Sequence, residues 1–288
     1  MGTVLGIRFV VALATIGGRS AARWFAMALA VYYTALSART RRASRQFLAR
    51  VGEAPSLRNV LRHVATFASV AVDRLFFLRG DLRPFTFELR GHERVKELAA
   101  RGRGALLLGS HLGSFAAMSA AARDFGVPLS VVADERSAAR LARVLRRVAA
   151  GGGPEVIPVD PKGFDTVFRV KSALAAGHLV AILGDRTTGR DGRNVQVDFL
   201  GAPAHLPVGP YVVAHTLGCP VVLVFALFRG PNRYEISCEP FADELRLDRR
   251  DRAGALRAHA QRYADRLAFH ARSAPYNWFN FHDFWSAS

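Results

Sequence analysis

A histidine follows a short apolar run in the middle of the chain. Residues 104–109 read Gly-Ala-Leu-Leu-Leu-Gly, and His111 comes two positions later. An uninterrupted apolar run of this length predicts a buried parallel strand, and the small residues from Ala116 to Arg123 predict a helix after it. His111 then lies at the carboxyl end of a strand, where open α/β sheets bind ligands. Its imidazole is suited to take a proton from a substrate. A structural histidine whose hydrogen bonds are made within the turn fits the same pattern.

A second polar cluster follows another apolar run, residues 179–183. Asp185 and Arg186 come directly after its closing Gly184. In a parallel sheet these side chains share an edge with His111. The two side chains could stabilise charge that develops in a reaction. They could instead form a structural ion pair with each other that holds the loop.

The stretches around these residues alternate between strand and helix patterns. Such alternation predicts an α/β fold with a mostly parallel central sheet flanked by helices. The expected order is strand 105–109, helix 115–123, strand 129–133, helix 136–149, strand 155–159, helix 163–175 and strand 179–183.

Helices precede this core and further strands follow it. Residues 39–80 have helical periodicity, and residues 85–89 alternate as an edge strand does. After the core we expect a strand at 195–201, an extended proline-containing segment, a helix at about 211–217, a strand at 221–228 with a hairpin partner at 233–238, and a helix at 252–271.

The bulk composition describes a chain that can bury a full core and is strongly basic. Half of its 288 residues are apolar, and its formal charge is +17 at pH 7. The charge predicts an anionic partner such as an anionic bilayer or an acidic protein, unless the arginines reflect only nucleotide composition. Arg190 and Arg193, in a loop with two glycines, suit phosphate contacts or a plain solvated loop. Because the arginines are dispersed and no nucleic-acid module is recognisable, we expect no specific nucleic-acid partner.

Other reactive side chains form no recognisable site. Cys219 and Cys238 fit neither a disulfide framework nor a metal cluster, so we expect them to pack in the core. The spacing of His205 and His215 matches no known ligand pattern, and we expect no metal. No Gly-x-Ser-x-Gly elbow is present, which disfavours an enzyme-bound nucleophile.

Two apolar stretches open the chain, residues 9–17 and residues 24–38, and arginines flank both. Neither reaches the roughly 20 apolar residues that span a bilayer without crossing an arginine. Because Trp24 and the neighbouring tyrosines suit the water–lipid boundary, we predict that residues 1–50 form membrane-associating helices. A signal peptide ending near residues 20–22 and ordinary amphipathic helices packed on the core are the alternatives.

The residues after the histidine form part of a longer pattern. His111-Leu-Gly-Ser-Phe resembles the start of the H-x-x-x-x-D/E motif of the lysophospholipid acyltransferase superfamily, in the branch of the lipid A biosynthesis late acyltransferases and the related acyltransferases of aryl-polyene clusters. Further matches follow in family order and cover the chain from about residue 57 to residue 285. They are Leu183-Gly184-Asp185-Arg186, residues 199–204 with 207–210, and residues 275–281.

The resemblance implies a glycerolipid acyltransferase-like domain over residues 51–288. It implies transfer of an acyl chain from an acyl carrier protein or coenzyme A thioester to a lipid or glycolipid hydroxyl, with no other cofactor. His111 would be the general base, and Asp185 and Arg186 would give electrostatic support. The implied location is the cytoplasmic face of the bacterial inner membrane, with peripheral or monotopic attachment to anionic lipids. The implied substrate contacts are Ser114, Phe115, Arg190, Arg193, Phe199, Leu200 and Gly201, although Phe199 and Leu200 also fit a plain core role.

One position departs from the family motif. Five residues after the histidine the family carries an acidic side chain, and this chain has Ala116. In the family that acid orients the imidazole, as the aspartate of a serine-protease triad does. The chain is therefore an inactivated variant, an enzyme that uses another carboxylate such as Asp185 or Asp134, or a non-catalytic relative that only binds lipid.

Overall fold

A seven-stranded sheet runs through the centre of the protein. The computed structural model describes residues 17–124, 126–134, 154–160, 164–186 and 194–285. The strands lie in the order β1-β9-β8-β2-β5-β3-β4, and every neighbouring pair is parallel except β8 and β9. They are β1 (Thr86–Arg90), β2 (Ala105–Gly109), β3 (Leu129–Ala133), β4 (Glu155–Pro158), β5 (Leu179–Leu183), β8 (Val221–Gly230) and β9 (Arg233–Ala242).

Helices cover the sheet, which confirms the predicted α/β class. Their bounds agree with the expected ones to within a few residues, and the helix expected at 136–149 lies outside the described residues. The described helices are α1 (Gly18–Leu36), α2 (Ala38–Arg50), α3 (Leu57–Arg79), α4 (Glu93–Ala100), α5 (Phe115–Asp124), α6 (Phe164–Ala175), α7 (Gly209–Leu217) and α8 (Arg252–Ser273).

Strand β2 is apolar along its whole length because both of its faces are covered. Leu106 and Leu108 belong to one apolar cluster with Tyr263 of α8. Leu107, between them, belongs to the cluster on the other face with Met118 of α5. A strand buried on both sides reads as a continuous apolar run, which is the pattern that predicted it.

The register between β2 and β5 places the ends of both strands together. Gly109 lies opposite Leu183, and the Gly184 N–H donates to the Gly109 carbonyl at 2.9 Å. A side chain at Gly184 would lie 2.7 Å from the Leu108 side chain and 3.2 Å from the Tyr263 ring, so a larger residue there would force Leu108 to move. The residues two positions beyond each strand therefore leave the sheet side by side.

A separate two-stranded ribbon follows the core. It pairs β6 (Asn194–Asp198) with β7 (Pro203–Pro207) in antiparallel register. The proline-containing segment expected to be merely extended is therefore a strand. Gln261 of α8 anchors the ribbon, since its amide accepts from the Asp198 N–H and donates to the Asp198 carbonyl.

Helix α1 is joined to the core through one buried carboxylate. Asp73 of α3 is fully buried and accepts from Arg19 at 2.8 Å and from Arg23 at 3.3 Å. The Tyr234 hydroxyl of β9 donates to the same carboxylate at 2.8 Å. These contacts fix the face of α1 that points inward.

Within the described residues, every helix is too short or too polar to cross a membrane. The first apolar stretch lies almost entirely outside those residues, and the second forms most of α1. Membrane association of residues 1–50 and the division at residue 50 stay predictions.

Candidate active site

His111 and Asp185 form a hydrogen-bonded pair at the edge shared by β2 and β5. The imidazole Nδ1 lies 2.8 Å from Asp185 Oδ1, and the backbone N–H of His111 donates to Oδ2 at 2.9 Å. The strand register explains the pairing, because each residue stands two positions beyond paired strand ends. The carboxylate is fully buried, whereas 29% of the His111 side chain is exposed. Solvent therefore reaches part of the His111 side chain but not the carboxylate.

The charge state of Asp185 determines the tautomer of His111. Burial alone would raise the pKa of the Asp185 carboxyl, but the charge and hydrogen bonds of His111, together with the Trp278 indole, outweigh burial and lower this pKa below its usual range. An ionised carboxylate only accepts hydrogen bonds, so His111 Nδ1 carries the proton. The lone pair at Nε2 is then the basic site of the ring.

The C-terminal segment holds this pair from the other side. The Trp278 indole Nε1 donates to Asp185 Oδ2 at 3.0 Å, and both side chains are fully buried. The backbone N–H of Phe279 donates to the His111 carbonyl at 3.1 Å. A third bond joins the Gly113 N–H to the Asn277 carbonyl at 2.8 Å. The aromatic ending thus docks on the core directly beside the histidine.

The turn after His111 depends on a glycine and a serine. Gly113 has φ +80°, and a side chain there would lie 1.9 Å from the Ala226 carbonyl oxygen of β8. Ser114, expected to contact substrate, is 3% exposed, and its hydroxyl accepts from the Ala117 N–H at 3.2 Å. This bond caps the start of α5. Contact of Ser114 or Phe115 with a substrate stays a prediction.

Ala116 does not face the carboxylate that contacts His111. It lies in the first turn of α5 and packs against the apolar cluster on the opposite face of the sheet from Trp278. There it lines a small pocket between α5 and α3 with Phe115, Ser119, Arg123, Arg74, Phe77, Leu78 and Pro154. The carboxylate at the histidine thus comes from the loop after β5 and not from α5.

Arg186 does not pair with the adjacent Asp185. Its Nη2 donates instead to the Asn280 side-chain oxygen at 3.0 Å. The ion pair considered from the sequence is therefore replaced by an Asp185–His111 pair and an Arg186–Asn280 pair. Arg190 and Arg193 lie outside the described residues, so their phosphate contacts stay a prediction.

Phe199 and Leu200 lie at the end of β6 within the apolar core. Phe199 is fully buried, and its ring centre lies 5.2 Å from that of Trp278. Leu200 and Gly201 form the turn to β7 with φ of 53° and 75°. Contact of these residues with an acyl chain stays a prediction, and for Phe199 it requires the ring to move.

The sequence did not reveal which residues support the pair. Trp278 and Asn280 stood out only as parts of a family-like, aromatic-rich ending. No sequence pattern singled out His63 of α3. It is fully buried, with Nδ1 2.9 Å from the Ser44 hydroxyl and Nε2 2.9 Å from the Trp278 carbonyl oxygen. Burial lowers the pKa of His63 from 6.5 to about 4, against the smaller opposing effect of the Trp278 carbonyl. Neutral His63 therefore donates from Nε2 to Trp278 and accepts from Ser44.

The arrangement can support proton transfer at His111 Nε2. Among the described residues, no group of three or more His, Cys, Asp or Glu side chains could hold a metal ion.

Comparison with known proteins gives one family. A comparison with curated proteins returned no match. The model of the bacterial lipid A biosynthesis acyltransferase family matches residues 2–287, which is nearly the whole chain. The protein with the His111–Asp185 pair therefore belongs to the bacterial lipid A biosynthesis acyltransferase family.

Proposed function

We propose that this protein is a lipid acyltransferase in which His111 is the general base and Asp185 is its orienting carboxylate. Family membership supports an acyltransferase that acts on lipid. The 2.8 Å contact between His111 Nδ1 and the buried Asp185 carboxylate carries the more specific assignment. Asp185, in the loop after β5, would supply the carboxylate that is missing at Ala116.

The proposed reaction is direct transfer from a thioester to a hydroxyl. His111 Nε2 takes the proton of the acceptor hydroxyl while the acceptor oxygen bonds to the thioester carbonyl carbon. The carbonyl electron pair moves onto oxygen, where Arg186 supplies positive charge. When the carbonyl re-forms, the carbon–sulfur bond breaks, and the thiolate takes the proton from the His111 imidazolium. Asp185 stabilises that imidazolium between the two steps.

The donor is an acyl carrier protein or coenzyme A thioester, and the acceptor is a lipid or glycolipid. The net charge of +17 supports binding of an acidic carrier protein and of anionic headgroups. Because such thioesters are cytoplasmic, the protein would work on the cytoplasmic face of the inner membrane.

Helix α1 supports peripheral attachment to that membrane. Its inward face is fixed by Asp73, and its outward face carries exposed apolar side chains, with Trp24 at 78% and Leu36 at 66% exposure. Arg39 and Arg42, exposed at the start of α2, lie close in sequence to this face and suit anionic headgroups.

The test is acyl transfer from dodecanoyl thioesters of acyl carrier protein and coenzyme A into a total bacterial lipid extract, with products identified by mass spectrometry. The wild type should turn over, and His111→Ala and Asp185→Asn should each lose about 10³-fold or more in kcat. His205→Ala, which removes an exposed histidine on β7, is the matched control and should match the wild type.

Ala116→Glu distinguishes the two sources of carboxylate. If Asp185 orients His111, this variant should not exceed the wild-type rate. Turnover by Ala116→Glu alone would show that Asp185 cannot replace the motif acid. Lipid binding without turnover by any variant would favour a non-catalytic lipid-binding relative.

A further inference from the structure

Two buried N–H donors next in sequence to groups that hold His111 have no acceptor among the described residues. Arg186 Nε and Asn280 Nδ2 are both shielded from solvent, and neither has a hydrogen-bond partner in the described part of the chain. Asn280 is only 2% exposed. An unsatisfied buried donor destabilises a fold, so two in neighbouring side chains indicate that something else accepts from them.

The two side chains are oriented by each other. Arg186 Nη2 donates to Asn280 Oδ1 at 3.0 Å. Because Asn280 Oδ1 already accepts from Arg186 Nη2, the amide nitrogen Nδ2 is the group that Asn280 has left to offer. Asn280 therefore presents a donor, and not an acceptor, to whatever lies next to it.

Both residues stand next to groups that hold His111. Arg186 directly follows Asp185, and Asn280 directly follows Phe279, whose N–H binds the His111 carbonyl. The Asn280 N–H also donates to the Trp278 carbonyl at 2.9 Å. The two donors thus belong to the two segments whose residues hydrogen-bond to His111.

Charges of both signs lie near these donors. Burial, and then the positive charges of Arg186 and Arg39, lower the pKa of His282, two residues beyond Asn280, and the negative charge of Asp185 opposes them. Two N–H donors, one of them on a guanidinium, suit an anionic oxygen.

We propose that Asn280 and Arg186 form an anion-binding pair that donates two hydrogen bonds to a negatively charged oxygen of the substrate beside His111. The proposal rests on the proposed acyltransferase function and assigns Asn280 to it. The oxygen is that of the thioester carbonyl as it becomes an oxyanion, or that of a phosphate on the donor or the acceptor. The oxyanion and the phosphate oxygen are both negatively charged hydrogen-bond acceptors, and this is the chemistry that the pair recognises.

The decisive variant is Asn280→Asp, which keeps an acceptor for Arg186 and replaces the orphan N–H with a negatively charged oxygen. Asn232→Asp is the matched control, because Asn232 also accepts from an arginine, Arg19, but lies in the β8–β9 turn. Arg186→Lys, which keeps the charge and removes the Nε donor, gives a second variant. Thermal unfolding of each variant confirms that the compared proteins are folded.

Steady-state kinetics separate the two sources of the oxygen. If the pair binds the oxyanion, Asn280→Asp lowers kcat about 10²-fold or more and leaves KM nearly unchanged. If it binds a substrate phosphate, KM rises about tenfold or more with kcat nearly unchanged, and inorganic phosphate competes with that substrate. Kinetics equal to those of Asn232→Asp would overturn the proposal.

Equilibrium binding covers the case in which the wild type shows no turnover, so that the acyltransferase assignment itself fails. Dodecanoate and inorganic phosphate are then titrated calorimetrically. Binding of either anion by the wild type, weakened about tenfold or more in Asn280→Asp but not in Asn232→Asp, supports the anion pair. No binding of either anion, or equal binding by all three proteins, overturns it.

Discussion

The indole Nε1 of Trp278 donates to Asp185 Oδ2 at 3.0 Å, so the carboxylate that orients His111 is itself held by the C-terminal segment. The other carboxylate oxygen faces the imidazole at 2.8 Å. Each oxygen of Asp185 is thus assigned to a donor, and the carboxylate has little freedom to rotate.

Trp278→Phe should slow catalysis without unfolding the protein. Phenylalanine can still pack against Phe47 and Phe199, whereas the hydrogen bond to the ionised carboxylate is lost. A bond of this kind contributes roughly 1.5–3 kcal/mol, so we expect kcat to fall about tenfold or more.

The pH profile of Trp278→Phe tests whether the indole acts through Asp185. Burial raises the pKa of Asp185, and its donors, including Trp278, bring it below the usual range. Removing one donor raises that pKa, so the part of the acidic limb of kcat/KM that comes from protonation of Asp185 should move to higher pH. Trp285→Phe, which removes an indole donor to the Phe199 carbonyl in the same segment, should leave the limb in place. An unmoved limb in Trp278→Phe, with a lowered Tm, would reduce Trp278 to a packing role.

Buried His63 should make the fold sensitive to acid. Burial lowers its pKa from 6.5 to about 4. Between these two pH values the unfolded chain binds a proton at His63 and the folded protein does not. The destabilisation caused by His63 is absent above about pH 6.5 and grows as the pH falls. At about pH 4 it removes roughly 3 kcal/mol from the free energy of unfolding.

Urea unfolding of the wild type and His63→Gln between pH 7 and pH 4 measures this loss. Glutamine can still donate to the Trp278 carbonyl and accept from Ser44, but it does not titrate. The wild type should lose more stability than the variant over this interval. Parallel curves would contradict a buried neutral histidine.

Gly113→Ala should destabilise the turn that carries His111. A methyl group there meets the Ala226 carbonyl oxygen at 1.9 Å, and φ is +80°. We expect a loss of about 2 kcal/mol or more in the free energy of unfolding, with a fall in activity. Gly80→Ala is the matched control, since its φ of +74° is similar but its side chain would meet nothing within 4 Å. Equal losses in both variants would show that backbone strain alone matters.

The exposed face of α1 should bind anionic bilayers. The double variant with Trp24→Ser and Leu36→Ser removes two strongly exposed apolar side chains, and we expect its affinity for phosphatidylethanolamine–phosphatidylglycerol vesicles to fall about tenfold or more. Phe164→Ser removes an equally exposed ring from α6 and should have no effect. Vesicle co-sedimentation measures both, and equal affinities would exclude α1 as the membrane-binding face.

The sequence by itself determined the fold class and the edge of the sheet at which His111 and Asp185 lie. The apolar run before His111 and its counterpart before Asp185 predicted two buried parallel strands, and parallel strands bring their carboxyl ends to one edge. Both residues were therefore expected at the same edge, and the order of motifs identified the family that the whole chain matches.

Only the tertiary structure decided which side chains meet at that edge. Pairing of Gly109 with Leu183 is a register between distant strands, and no local pattern encodes it. It is this register that places Asp185, and not a residue in α5, against His111. The roles of Trp278 and Asn280 likewise depend on how the C-terminal segment docks, because such contacts are set by packing between residues about a hundred positions apart.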